Sequence, residues 1–434
     1  MRKILYLPSL LLALSSTVVF AQQTKSKIVD KAYVEKVLNT LASDEMGGRH
    51  AFSPHIAKAA DFIAEEFRSI GLKPYAESTY RQTFHMNKVS KISSNVILDG
   101  NKLEADNFLL LGNEAETKWN EKSGIPVKYI GKDDDFSATF RKLAQSNEDV
   151  IVLVDPSYAS YISRFNKIYS RENIVGDNQT KGATKAFILG DKLPEKYAIE
   201  LTNKTSKFDL FNVAAVIPGK SKPNEYVVFS AHYDHIGIQK AVDQDSIANG
   251  ADDDASGTTA MISLAKHFKA QNNNERTLIF VAFTAEEIGM YGSKYFSNNI
   301  NADDVVAMIN IEMIGKDSKF GPNTMYITGY DRSNLGELMQ HNLKNTVFKF
   351  HPDPYPQQNL FYRSDNAVLA ALGVPAHTFS TSQIDKDTYY HTVKDEVSTL
   401  DIDNIKSSIE AIAWGVEGII KGTQTPNRVE KLKD

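Results

Sequence analysis

Residues 226–257 read YVVFSAHYDHIGIQKAVDQDSIANGADDDASG. The opening run over 226–230 is apolar, β-branched and aromatic, which predicts a strand. The Gly- and Asp-rich stretch from Asn249 to Gly257 opens an apolar-periodic run over 255–270, which predicts a helix. Between the two lies a loop carrying His232, Asp234 and His235. Working outward, the same alternation continues. Runs at 213–217, 277–283, 305–311, 324–327 and 374–379 read as strands, and 334–345, 365–372 and 402–420 read as helices. Strands alternating with helices predict an α/β domain of three layers, a mixed, mostly parallel sheet with helices on both faces.

Upstream, 55–70 has apolar residues at helical spacing, with Gly71 where a C-cap belongs. From 99 to 209 the texture changes to short apolar runs such as 150–154, Asn/Asp/Gly turns and lysine-rich loops. This predicts a smaller, mostly-β unit inserted into the main domain, which is itself split into 22–98 and 210–425. The polar residues 426–434 read as a mobile tail. At the start, Arg2 and Lys3 precede an apolar stretch over 4–20, and Val19-Phe20-Ala21 stands before Gln22. That pattern predicts a signal peptide over 1–21 and export, to a periplasm or to the medium. No later segment approaches the length of a membrane span, so no stable membrane insertion is expected.

Forty-nine basic against 54 acidic residues give a formal charge of −5. No basic stripe is present to offset it, which argues against nucleic acid as a partner. The chain has no cysteine, so disulfides, thiolate metal sites, iron–sulfur clusters and cysteine nucleophiles are excluded.

In an open α/β sheet, ligands bind beyond the carboxyl ends of the strands. The residues just after each predicted strand are therefore informative. His232, Tyr233, Asp234 and His235 come after the first; Thr284-Ala285-Glu286-Glu287 come after 277–283; Glu312 comes after 305–311; and Tyr390-His391 lie in a loop after the last. Singly, each has an ordinary reading: a surface histidine, or a solvated acidic helix start. Together they collect imidazole and carboxylate groups at successive strand ends, a ligand set for zinc or another first-row divalent metal. Adjacent carboxylates after a buried strand repel each other unless a cation sits there.

HYDHIG, NGADDDASG, FTAEEIG, NIEMIG and YHTVKDE, in that order, resemble metallopeptidase family twenty-eight. This is the family of co-catalytic di-zinc aminopeptidases, and it also holds glutamate carboxypeptidase II, glutaminyl cyclase and the transferrin receptor. Residues 41–49, LASDEMGGR, and the helix after them also resemble the family's amino-terminal portion. The inserted stretch falls where some members carry a protease-associated insert. The resemblance implies the zinc-dependent exopeptidase fold and two zinc ions. It implies that Asp252 bridges them, with Glu287 and His391 completing one site and His232 and Glu312 the other. It further implies Glu286 as general base, Asp234 as the group orienting His232, and Tyr390 as a donor to the developing oxyanion. Glu312 stands where the family often has Asp, which is expected to weaken that site. Arg363, Ser364 and Asp365 lie where members contact substrate, although Ser and Asp before a helix also serve as ordinary caps. His235, His351 and His377 are read as structural or surface residues.

The expected activity is hydrolysis of the terminal bond of a peptide, by an aminopeptidase before a carboxypeptidase. A zinc glutaminyl cyclase, expected to work with one metal, and a non-catalytic transferrin-receptor-like module, expected to have lost ligands, are the alternatives. Oligomeric state is not legible in the sequence.

Overall fold

Helix α1 (Lys31–Leu41) starts at Asp30, whose side chain accepts a hydrogen bond from Ala32 N. Helix α2 (His55–Ile70) ends at Gly71, held at φ +83°, a left-handed conformation that costs glycine little. These assignments come from a computed structural model that describes residues 29–76, 78–169, 172–176 and 181–432. The expected signal peptide lies outside the described residues.

The main sheet is built from β1 (Arg81–Leu98), β2 (Tyr197–Ile217), β3 (Lys222–His232), β4 (Arg276–Phe283), β5 (Val305–Ile311), β6 (Thr324–Ile327), β7 (Lys349–Pro352) and β8 (Ala376–Ser380). Its order is β7-β6-β8-β5-β3-β4-β2-β1, with short strands added at its margins. The four central strands β8, β5, β3 and β4 are parallel, while β2 joins β4, and β6 joins β8, antiparallel. The mixed, mostly parallel sheet expected from the sequence is therefore present.

Its strands bury both faces, which is why they read as unbroken apolar runs. Val227, Phe229 and Ala231 of β3 pack with α1, α2, α3 (Gly257–Gln271) and α7 (Ile402–Gly415) on one face. Val228 turns to the other face, with Phe296 of α4 (Tyr291–Asn298) and Leu369 of α6 (Asn366–Ala371). Helix α5 (Leu335–Asn342) packs against α7.

Three expectations need correction. The inserted unit is α/β, not mostly β. Its four-stranded sheet (Phe108–Leu111, Val127–Ile130, Val150–Val154, Lys185–Leu189) carries two parallel pairings and packs under the helices Phe136–Ala144 and Ala159–Tyr169. The spacing of Phe136, Phe140 and Leu143 is helical, but the polar residues between them masked it. Its border also moves, because β1 and β2 form one long antiparallel ribbon, Arg81 against Val213 and Leu98 against Tyr197. Residues 197–209 thus belong to the main sheet. The polar tail is docked: Val429 is buried, its N–H donates to Gly373 O, and Arg428 donates to Val305 O. Among the described residues no helix is long and apolar enough to cross a membrane.

Candidate metal centre and active site

His232 is the last residue of β3, so its ring stands at the carboxyl edge of the sheet. Its Nδ1 lies 3.0 Å from the backbone oxygen of Asp234, which fixes the ring and leaves Nε2 pointing outward. The Asp234 carboxylate is 4.0 Å from that Nδ1. The expected role of Asp234 therefore shifts. Its backbone orients His232, while its carboxylate accepts from Glu286 N (3.1 Å) and Glu287 N (3.4 Å) and holds the next loop. Burial raises this carboxyl to about 7.

The acidic run after Gly250 divides three side chains among three jobs. Asp252 Oδ1 accepts from Gly315 N at 2.7 Å, and its Oδ2 lies 3.6 Å from Lys316 Nζ. Asp254 accepts from Met313 N and Gly257 N through Oδ1, and from His232 N through Oδ2. Only Asp253 faces the histidines: Oδ1 is 3.2 Å from His232 Nε2 and Oδ2 is 3.2 Å from His391 Nε2. The carboxylate between the two clusters is thus Asp253, not Asp252. The backbone N–H groups after β5 capture the flanking two, and that leaves the middle one free.

Glu287 Oε2 lies 3.0 Å from His391 Nε2, and its Oε1 lies 2.8 Å from His235 Nδ1. Two groups of donors result, each within 4.8 Å: His232, Asp253 and Glu312, and His235, Asp253, Glu287 and His391. Burial opposes protonation of His391, but the carboxylates of Asp253 and Glu287 beside it outweigh it and carry the ring up to about 10. Burial raises Glu312 to about 7 against the pull of His232, and pushes Glu286 well above the usual carboxylate range.

The donor set fits a divalent metal. His232 Nε2, Asp253 Oδ2 and Glu312 Oε2 are buried without a hydrogen-bond partner. Lone pairs turned toward one another in a dry site are costly unless a cation satisfies them.

A cavity of about 280 Å³ opens beside Glu312, walled by Met313, Tyr326, Leu360, Arg363, Ser364 and Tyr390 among others. Arg363 is exposed at this wall, and Ser364 accepts from Asn310 Nδ2 at 2.8 Å. Asp365 is not a wall residue. It is buried beneath, and burial lifts it to about 6. The Tyr390 ring stacks on His391 at 3.9 Å, and burial beside Asp253 and Glu287 raises its hydroxyl, which keeps it a proton donor. His377 is buried between Ser333 and Thr328, and His351 stacks on Phe320.

Three contributors have no counterpart among the expected site residues. Arg49 is fully buried and donates to Tyr233 O, Leu41 O, Asn249 O and Gly250 O at 2.6–2.9 Å, which pins the loop bearing Asp253 to the loop bearing His232. Asp395 accepts from the backbone N–H of Asp252 and Asp253. His235 is fully buried against Glu287 rather than at the surface. A signal for Arg49 was available. Gly47 and Gly48 precede it at φ +51° and +64°, and a Cβ on Gly48 would fall 2.5 Å from Ala248 O, so the pair marks a close backbone approach.

The fold and the site define a zinc-type α/β metallopeptidase. Over residues 212–415 the chain matches the model of peptidase family M28. It is 26% identical, over 291 residues spanning 62% of this chain and 72% of the relative, to leucine aminopeptidase 1 of Paracoccidioides brasiliensis strain Pb03. It is 28% identical to a probable leucine aminopeptidase of Arthroderma otae over 353 residues, 73% of this chain and 91% of the relative. Among solved structures, an aminopeptidase from Aneurinibacillus sp. strain AM-1 aligns at TM-score 0.54 and 17% identity, covering 94% of this chain and 96% of that one. A zinc aminopeptidase from Bacillus subtilis aligns at TM-score 0.54 and 17% identity, covering 93% and 99%. The protein is a peptidase.

Proposed function

We propose that the protein is an exported di-zinc aminopeptidase that removes an apolar residue from the amino terminus of peptides. The observation that carries this reading is the sharing of Asp253 by two donor groups, His232 with Glu312 on one side and Glu287 with His391 on the other. Zinc bound there would supply an electrophile and would lower the pKa of a coordinated water toward neutrality. Glu286, half-buried and raised by its surroundings, suits a general base that takes one proton and returns it to the leaving amine. Asp234 holds the backbone of Glu286 and Glu287 so that the two adjacent carboxylates keep separate roles. Tyr390 keeps its proton and would donate to the oxyanion. Met313, Leu360 and Ile384 give the adjoining cavity apolar wall for the terminal side chain, in keeping with relatives named leucine aminopeptidases. Export rests on the sequence of residues 1–21.

The test is turnover of leucine arylamide and of a leucyl peptide with its amino terminus free or acetylated, alongside zinc analysis. Two zinc equivalents and hydrolysis of only the free forms are expected. Cleavage of the acetylated peptide would contradict the aminopeptidase assignment. One equivalent together with cyclisation of amino-terminal glutamine would overturn the reading in favour of a cyclase.

A further inference from the structure

We propose that His235 is a positioning residue of the metal centre, holding one oxygen of Glu287 so that the other is presented beside His391. The inference rests on the proposed metal centre and adds to it a residue that is not itself a ligand.

Glu287 divides its two oxygens between two imidazoles. Oε2 lies 3.0 Å from His391 Nε2, whereas Oε1 lies 2.8 Å from His235 Nδ1. Donors on one tetrahedral zinc, each about 2.0–2.1 Å from the ion, stand roughly 3.3 Å apart. The contact of 2.8 Å is shorter than that, shorter also than the 3.0 Å between Oε2 and His391 Nε2, and matches an N–H···O hydrogen bond. It also uses the oxygen turned away from His391. His235 Nδ1 is 3.7 Å from Asp253 Oδ2, beyond a hydrogen bond, so the ring is committed to Glu287 alone. These distances set His235 behind Glu287 rather than beside the ion.

The ring is placed to do this rigidly. It is fully buried, and the His235 backbone N–H donates to Arg49 O at 3.3 Å. Gly250, at φ +56°, lies directly over it: a Cβ there would fall 2.5 Å from His235 Cγ. The loop bearing Asp253 therefore closes on the ring that steadies Glu287. His391 approaches edge-on, with ring centroids 5.7 Å apart and planes at 70°. A carboxylate free to rotate would alternate between one- and two-oxygen coordination; fixing Oε1 selects a single orientation. Partners of this kind, one step removed from the ion, commonly change metal affinity by about 10–100-fold.

The test measures zinc affinity of the intact protein by competition with a chromophoric chelator, in parallel for wild type, His235→Ala and His235→Gln. In His235→Ala one of two zinc sites should weaken by about 10–100-fold while the other keeps its affinity. His235→Gln retains an N–H donor near Oε1 and should recover part of the loss. Unchanged affinity at both sites in His235→Ala overturns the proposal. X-ray absorption of the zinc-loaded wild type decides independently, even if a variant fails to fold. One imidazole per zinc supports a positioning role, and a second imidazole on one ion overturns it. A wild type that binds no zinc would instead overturn the metal reading, and this proposal with it.

Discussion

The rim of loops at the carboxyl end of the main sheet and the inserted α/β unit solve opposite problems with similar residues. In the inserted unit, acids sit at the surface with cheap partners: Asp135 caps Phe136–Ala144, Asp155 accepts from Ser157, and Glu148 meets Lys128. Its interior, from Phe136 and Phe140 to Phe187, is apolar and closed. At the rim, Asp234, Asp252, Asp253 and Asp254 are buried and Glu312 half-buried, and several of their oxygens lack partners. A folded chain tolerates that arrangement only where a ligand or cation repairs it. Burial of acid, rather than acid content, separates the working part of this chain from the supporting part.

The largest expected effect lies at the rim. Glu286→Gln should lower kcat by about 10⁴-fold or more while both zinc ions stay bound, because the glutamine keeps size but accepts no proton. Steady-state kinetics with zinc analysis of the same sample check it. If that variant sheds a metal while Glu287→Gln keeps two, the roles of the adjacent pair are exchanged.

The inserted unit should answer in stability rather than rate. Phe140 packs on Phe165 and Phe187 at centroid distances of 4.5 and 4.7 Å. Phe140→Ala should cost about 3–5 kcal/mol of stability and leave kcat at 25 °C within about twofold. Hydrogen exchange should show the loss concentrated in residues 108–189. A large fall in kcat without loss of protection would tie the unit to catalysis.

A smaller effect concerns pH, away from the metal donors. Burial lowers His377 to about 4, with Ser333 and Thr328 accommodating the ring. The unfolded chain binds its proton near 6.5, so between about 6.5 and 4 the unfolded state holds more protons and stability falls as pH falls. This group's contribution, up to about 3 kcal/mol, is complete above about 6.5 and lost as pH falls through about 4. His377→Gln should flatten the stability slope between about pH 4 and 6.5 in urea titrations. An unchanged slope would place the acid sensitivity elsewhere.

Much of the main fold was legible because its signals are periodic or terminal. The apolar strands buried on both faces, and α2 with Gly71 behind it, carry their own boundaries. The ribbon of β1 and β2 was not, since its outer half is polar and takes its order from pairing across about 100 residues or more. At the site, residue types and stations were legible, but the choice among Asp252, Asp253 and Asp254 was not. A run of identical side chains on a loop has no period. Which one faces the histidines depends on N–H groups of Met313 and Gly315, some 60 residues away. Arg49 was signalled only indirectly, by the glycine pair before it, because a buried arginine bound to four carbonyls looks in sequence like any surface one.

Parallel zinc titrations of wild type, Asp253→Asn and Asp252→Asn test most directly whether Asp253 is the shared carboxylate. Wild type should bind two equivalents. Asp253→Asn should lose affinity at both positions together, because one side chain serves both donor groups. Asp252→Asn, which disturbs the contacts to Gly315, Lys316 and Ser256, should still bind two. Two tightly held equivalents in Asp253→Asn, with loss of both in Asp252→Asn, would contradict that assignment.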